Sequence, residues 1–334
     1  MSILYLTETA SVAKLEKDSI IVCLKDQVLS RCPLETLESV VLIGVTHLST
    51  QLTTELLKRD IPVLYLSHYG KFFGRLEPTT HINIERQREQ FRMADDKNFC
   101  IGLTKTFIIG KVKNCAVLLR RYNRNIDDKE IELSIETFKE YIIKIENAES
   151  IEEILGYEGN VAKIYFKCIG GKIVDKEFYF EKRTRQPPED KFNALISFGY
   201  TLLLYEIYVA IESRGLHPYC SFLHQIRAGH PALASDLIEE FRPSIIDSLM
   251  LGIVNNHIIR SEHFEYRDDG IFLTRDGLKI VITKFEERMK EKNSYINEID
   301  YKMSFRDILN HQAMKIVNAI TNKDYNLYET IKIR

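Results

Sequence analysis

Hydrophobic positions in the first part of the chain fall in short runs separated by polar turns, at residues 3–6, 20–24, 28–29, 40–43, 63–66 and 72–76. Runs rich in β-branched residues at such short intervals predict strands. A segment with different spacing, residues 50–59, predicts a single helix. It should stop ahead of Ile61-Pro62, because the residue before a proline is pushed away from helical backbone. Residues 1–85 therefore read as a β-rich, two-layered N-terminal domain.

Beyond His81 the texture changes, and Phe99, Leu103, Phe107, Ile108, Val112, Val117 and Leu118 recur at helical spacing. Residues 86–334 are expected to be mainly α-helical, which makes the fold class α+β: a β-sandwich-like domain followed by a helical one. The exception is a hairpin at 264–267 and 271–273, joined through Asp268-Asp269-Gly270. The nearly uncharged run 194–211 approaches membrane length but carries Ser197, Thr201, Glu206 and three tyrosines, so it reads as a buried core helix and no membrane span is expected. The N-terminus reaches charge too early for a signal peptide.

Composition narrows the class. A chain of 334 residues with 45% hydrophobic and 28% charged residues is long enough for two domains and excludes disorder, collagen and a disulfide miniprotein. Six cysteines lie far apart without a C-x-x-C pair, which fits a reducing cytoplasm and no zinc cluster. The net charge of -2 hides a segregation: residues 86–124 hold ten Lys/Arg against three Asp/Glu, and residues 127–153 hold three against ten. Two helix faces that attract each other would explain this. So would a basic phosphate-binding surface beside a separate acidic element.

Phosphate loops, zinc helices, EF-hand loops and nucleophile elbows are all missing from the sequence. The Gly-Lys pairs beginning at Gly70, Gly110 and Gly171 read as turns or helix breaks. Chemistry concentrates in residues 215–243 and 156–166. Pro231 suits the first turn of a helix whose apolar stripe is Leu233, Leu237 and Phe241. Asp236 can share a side of that helix with Glu239 or Glu240. His224 lies upstream in a loop-like segment between His217 and His230, and Glu158 sits near two glycines at what reads as an exposed helix start. One imidazole with two or three carboxylates is a mostly oxygen donor set that suits Mg²⁺ or Mn²⁺. Each of these residues also has an ordinary surface reading, and spacing does not choose between them.

A resemblance does. Gly156, Glu158, Gly159, Ala162, Tyr165 and Phe166 match one family pattern. Gly215, Leu216, Pro218, Phe222, Leu223, His224, Gly229, Pro231, Leu233, Ala234, Asp236, Leu237, Glu239, Phe241, Arg242 and Pro243 match another. With them the chain resembles the CRISPR-associated endonuclease and integrase of spacer acquisition, the larger subunit of the adaptation complex. His217 departs from the family, where an acidic residue is common, and Ser235 where an aliphatic one is.

The resemblance implies that Glu158, His224 and Glu239 are the ligands of Mg²⁺ or Mn²⁺, with Asp236 as a further acidic contributor. Arg242 reads as the partner of a carboxylate. The implied reaction is attack by a DNA 3′-hydroxyl on a phosphodiester, inserting short foreign fragments into a CRISPR array. His224 would be neutral when it binds metal, so activity would fall at acidic pH. Implied partners are double-stranded and branched DNA, a second copy of the chain, and a small ferredoxin-like CRISPR-associated nuclease. Residues 1–85 would supply dimer contacts, and residues 86–334 catalysis and DNA binding. The alternatives are a structure-selective nuclease on branched DNA and a non-catalytic scaffold.

If the basic stretch tracks phosphates, replacing Arg120, Arg121 and Arg124 together by Gln weakens DNA binding across sequences. It also flattens the log-log salt dependence by about one unit per lost contact. Fluorescence anisotropy across a salt series measures that slope, and an unchanged slope returns the segment to an ordinary solvated face.

Overall fold

In the computed structural model, every residue is described except 1, 26, 69, 81, 125, 186, 268–269, 295–300 and 332–334. The chain divides into two compact units, Met1–Ile82 and Asn83–Arg334.

The first unit contains β1 (Ser2–Leu6), β2 (Ser11–Glu16), β3 (Ser19–Leu24), β4 (Gln27–Pro33), β5 (Leu37–Ile43), β6 (Thr46–Leu48), α1 (Thr50–Lys58), β7 (Val63–Leu66) and β8 (Phe72–Leu76). One sheet runs β1-β5-β7-β8 and the other β4-β3-β2-β6. Strands β5 and β7 pair in parallel, which demands a crossover, and α1 lies within it. Ser49 caps α1 by accepting from the Leu52 amide at 3.3 Å. Inward residues of both sheets, among them Leu6, Ala13, Ile20, Val40 and Val63, share one core with Leu52 and Leu56 of α1. Strands β2 and β6 were not evident as apolar runs. The inward positions of β2 are Ser11 and Ala13, both fully buried, and they alternate with partly buried Val12 and exposed Lys14.

The second unit is helical: α2 (Ile84–Asp95), α3 (Lys97–Asn123), α4 (Lys129–Asn147), α5 (Ile151–Gly170), α6 (Lys191–Ser213), α7 (Ala232–Phe241), α8 (Ser248–Asn255), α9 (Arg275–Lys290) and α10 (Phe305–Asn322). A π-helical segment, Arg242–Asp247, joins α7 to α8. The hairpin forms as antiparallel β9 (Phe264–Arg267) and β10 (Gly270–Leu273), and the turn residues Asp268 and Asp269 lie outside the described residues. The apolar run at 194–211 lies within α6, which is long and apolar enough to cross a membrane, yet 67% of its apolar stretch is buried inside the protein. Helix α3 packs against α4, α5 and α7. All ten residues of α7 are buried, so this helix has no solvent face.

Two expectations from the sequence are corrected. Gly110 does not break a helix: it lies inside α3, where a Cβ would come within 2.4 Å of the Thr330 side chain. Glycine there lets the C-terminal segment lie against α3. Glu158 is not at a helix start either. Ser150 caps α5 eight residues earlier, accepting from the Glu153 amide at 3.2 Å, and Glu158 projects from the middle of the helix.

The C-terminal segment is fixed by Glu240 of α7. Its carboxylate accepts from Tyr328 Oη at 2.5 Å, Gln312 Nε2 at 3.0 Å and the Ile331 amide at 3.0 Å. Burial pushes the Glu240 carboxyl up to about 7 in spite of these donors. Tyr328→Phe removes one of them from a group that water does not reach. It is expected to lower stability by about 1–3 kcal/mol, read as a shift of the urea midpoint at unchanged m-value.

Candidate active site

The segment before α7 has no regular structure, and one carboxylate organises it. Asp236 accepts from the amides of Phe222 at 2.8 Å, Leu223 at 3.0 Å and His224 at 3.0 Å. Its Oδ1 also lies 2.8 Å from His224 Nδ1. A carboxylate accepts only, so Nδ1 carries the hydrogen and Nε2 keeps its lone pair. The Asp236 side chain is fully buried, whereas the imidazole is 31% exposed. Burial alone would lower the His224 pKa, but the hydrogen bond to Asp236 and the charges of Asp236 and Glu239 raise it above its ordinary value.

One turn along α7, Glu239 turns to a different neighbour. Its Oε2 lies 2.6 Å from Lys111 Nζ of α3, and its Oε1 lies 3.2 Å from Arg242 Nη2. The same Lys111 ammonium pairs with Glu158 of α5. Three helices thus meet at one cation. The side chains of Lys111, Glu158 and Glu239 are 12%, 20% and 6% exposed, so the exposed site expected around Glu158 is replaced by a largely enclosed one. Burial pushes the Glu239 pKa up, but Arg242 and Lys111 outweigh it and hold the carboxyl down at about 2. Glu240, the other acid left open by spacing, points instead to the C-terminal segment.

Behind this cluster Tyr165 and Tyr200 donate to Asp247 at 2.8 and 2.6 Å. The Arg242 guanidinium lies 4.7 Å from the Tyr200 ring centroid, and that of Arg183 lies 5.5 Å from it. Lys111, Glu158, Tyr165, Arg183, Arg242 and Asp247 line a common cleft. Cations on the cleft wall favour an anion beside the carboxylates. A Cβ at Gly156 or Gly159, on the helix that carries Glu158, would meet nothing, so no side chain crowds that face.

Sequence reading missed Lys111, Arg183, Tyr200 and Asp247 as parts of the site. Lys111 was one of ten cations in the basic run, and only its position within α3, flanked by buried Gly110 and Val112, hinted at burial. Arg120, Arg121 and Arg124 are exposed at the far end of α3. Arg120 is nine residues beyond Lys111, or roughly 13 Å along the axis, so these arginines are outside the cluster.

The residues suit a hard divalent ion in donor type. Glu158 and Glu239 bring carboxylate oxygens, and His224 brings a free Nε2. A carboxylate behind the imidazole is the usual support of a metal-binding histidine. Among the described residues, however, no three acids, histidines or cysteines stand ready as a ligand set. The Lys111 ammonium lies between the two carboxylates instead.

A β-rich unit followed by a helical unit whose acids and cations line one cleft is the class of protein that the fold and site define. The particular family follows from comparison: the family model described as CRISPR associated protein Cas1 matches residues 4–287, and the chain belongs to that family. The CRISPR-associated endonuclease Cas1 of Mycobacterium tuberculosis (strain CDC 1551 / Oshkosh) is 32% identical over 319 residues, covering 95% of this chain and 93% of the relative. Among solved structures, a Cas6-RT-Cas1–Cas2 complex matches with TM-score 0.85 at 24% identity, over 98% of this chain and 36% of that one. A casposase bound to integration product matches with TM-score 0.83 at 21% identity, over 100% of this chain and 96% of that one. At these identities the two structures establish a shared fold.

Asp247 supplies a measurable signature. Burial raises its pKa from 3.8 to about 6, against the opposing hydrogen bonds from Tyr200 and Tyr165. A carboxyl raised on folding stabilises fully below its unfolded value, and that contribution is lost as pH rises through the folded value. Stability is therefore expected to fall by up to roughly 3 kcal/mol between about pH 4 and 6 on account of this group. Asp247→Asn should remove that component, seen as a flatter plot of urea midpoint against pH.

Proposed function

We propose that this protein is a divalent-metal-dependent DNA endonuclease and integrase that inserts short foreign fragments into a CRISPR array. The observation that carries the reading is the convergence of Glu158 and Glu239, from separate helices, on one enclosed point within electrostatic reach of His224. It occurs in a chain of the Cas1 family.

Glu158, Glu239 and the Nε2 of His224 would hold Mg²⁺ or Mn²⁺, which would supply charge neutralisation at the phosphoryl oxygens and a more acidic attacking hydroxyl. The protein's own contribution is preorganisation. Asp236, locked by three amides, fixes both the tautomer and the direction of the imidazole, so it acts as a positioning residue. Arg242 is held by Glu239 and the Tyr200 ring, and with Arg183 it places positive charge on the cleft wall. Fixed charges of this kind stabilise a phosphorane-like transition state without reorganising.

The proposed partners are double-stranded and branched DNA, a second copy of this chain, and a small ferredoxin-like CRISPR-associated nuclease, with the β-rich unit supplying subunit contacts. The exposed Arg120, Arg121 and Arg124 are proposed as outer phosphate contacts, and the cytoplasm as the place of action.

Joining of a labelled duplex to a repeat-bearing plasmid, in the presence of the small partner, tests the site. Glu158→Ala, His224→Ala and Glu239→Gln should each lower joining and branched-DNA cleavage at least 100-fold with native circular dichroism. Asp236→Asn should leave residual activity. Wild-type turnover by Glu158→Ala or His224→Ala would show the chemistry to be elsewhere.

A further inference from the structure

Lys111 stands at the centre of the carboxylate cluster. Its side chain is only 12% exposed, its ammonium pairs with Glu158, and Glu239 Oε2 is 2.6 Å away. The two acids come from α5 and α7 and the lysine from α3, so a single cation closes the gap between three helices. Two carboxylates that face one ammonium are in the arrangement they would need around a divalent ion. Both cations cannot lie between the same oxygens.

Charge counting leads to the same point. Glu158 and Glu239 bring two negative charges, and Lys111 and Arg242 bring two positive ones. As it stands this group is neutral. A dication added with nothing moved would leave two uncompensated positive charges in an enclosed place, with an ammonium a few ångströms from the ion, where repulsion is poorly screened. One of the resident cations has to yield. Arg242 is restrained by its contact with the Tyr200 ring as well as by Glu239. Lys111 has a flexible four-carbon stem that can swing its charge away from the carboxylates. The cleft that it lines also carries Arg183 and Arg242, and so is a poor resting place for another cation unless an anion occupies it.

Resting on the functional reading above, we infer that Lys111 is a resident counter-ion of the metal site, displaced when a divalent ion enters and then paired with a phosphate of bound DNA. In metal-free protein it holds Glu158 and Glu239 together. With metal alone the displaced ammonium has no partner, and DNA supplies one. Metal and DNA therefore bind with positive coupling, and the coupling is reciprocal. The protein loads its ion fully only when nucleic acid is present.

The test is direct binding of Mn²⁺, followed by the electron paramagnetic resonance of the free ion. It uses the full-length protein with and without a short duplex whose 3′ ends are blocked. Wild type, Lys111→Met, Lys111→Gln and Glu158→Ala are compared. Without DNA, both Lys111 variants should bind Mn²⁺ at least tenfold more tightly than wild type. The duplex should tighten Mn²⁺ binding to wild type at least fivefold and to the Lys111 variants less than twofold. Melting gives a second readout: Lys111→Met should melt lower than wild type without metal and gain more from Mn²⁺. Where the methionine leaves the carboxylates too poorly matched for folding, the glutamine retains donors and decides the matter.

Lys111 variants that bind Mn²⁺ no more tightly than wild type, while Glu158→Ala loses it, would make Lys111 a fixed strut and overturn the inference with the metal site intact. Mn²⁺ binding that is also indifferent to Glu158→Ala would overturn the inference together with the metal reading beneath it.

Discussion

A helix with no solvent face that carries three carboxylates is the constraint around which the helical unit is arranged. Unpaired ionised acids in such a place would be strongly destabilising, so each needs its own compensation. Asp236 is met by three backbone amides and an imidazole, Glu239 by an ammonium and a guanidinium, and Glu240 by a phenol, an amide side chain and a backbone amide. The partners come from the 215–230 loop, from α3, from the π-helical turn, from α10 and from the C-terminal segment. Five stretches of chain are thereby tied to α7, and α5 joins them because Glu158 shares the lysine of Glu239.

This arrangement separates rigid parts from a labile one. Asp236 holds His224 through bonds that span three consecutive amides, and Asp247 holds two tyrosines, one of which lies against Arg242. Fully satisfied buried polar networks specify one geometry and resist rearrangement. Lys111 is different: both its partners are carboxylates whose chemistry also suits a metal. The element most easily moved thus sits between the groups that the proposed reaction needs free.

Much of the architecture was legible in residue patterns. The change from short β-branched runs to 3.6-residue spacing announced a β-rich unit followed by a helical one, and Leu233, Leu237 and Phe241 marked the core stripe of α7. What spacing did not reveal was that the opposite face of α7 is buried too. Periodicity describes one element at a time, whereas an acid on a buried face is permitted by groups distant in sequence, such as Lys111 for Glu239 and Ile331 for Glu240. Gly110 was misread for the same reason, since its need for a missing side chain comes from Thr330. The choice of Glu239 over Glu240 rested on resemblance; in the structure Glu239 faces Glu158 through Lys111, whereas Glu240 faces the C-terminal segment.

The basic stretch from 86 to 124 illustrates how a charge count misleads until each charge is placed. Lys111 is neutralised within the cluster, Arg86 donates to the Arg214 carbonyl, Arg92 lies 2.8 Å from Glu89, and Lys105 donates to the Glu146 carbonyl at 2.9 Å. The acidic stretch that follows is met partly by other lysines, Lys167 on Glu130 and Lys172 on Asp128, which weakens the idea that the two runs exist to neutralise each other. Arg120, Arg121 and Arg124 lie at the exposed end of α3. Such charges act over about a Debye length and govern approach and non-specific grip, whereas enclosed charges around Glu239 act at contact distance and govern chemistry. One helix therefore contributes to two electrostatic regimes, a screened one at its exposed end and a nearly unscreened one at Lys111, and the sum of its charges describes neither.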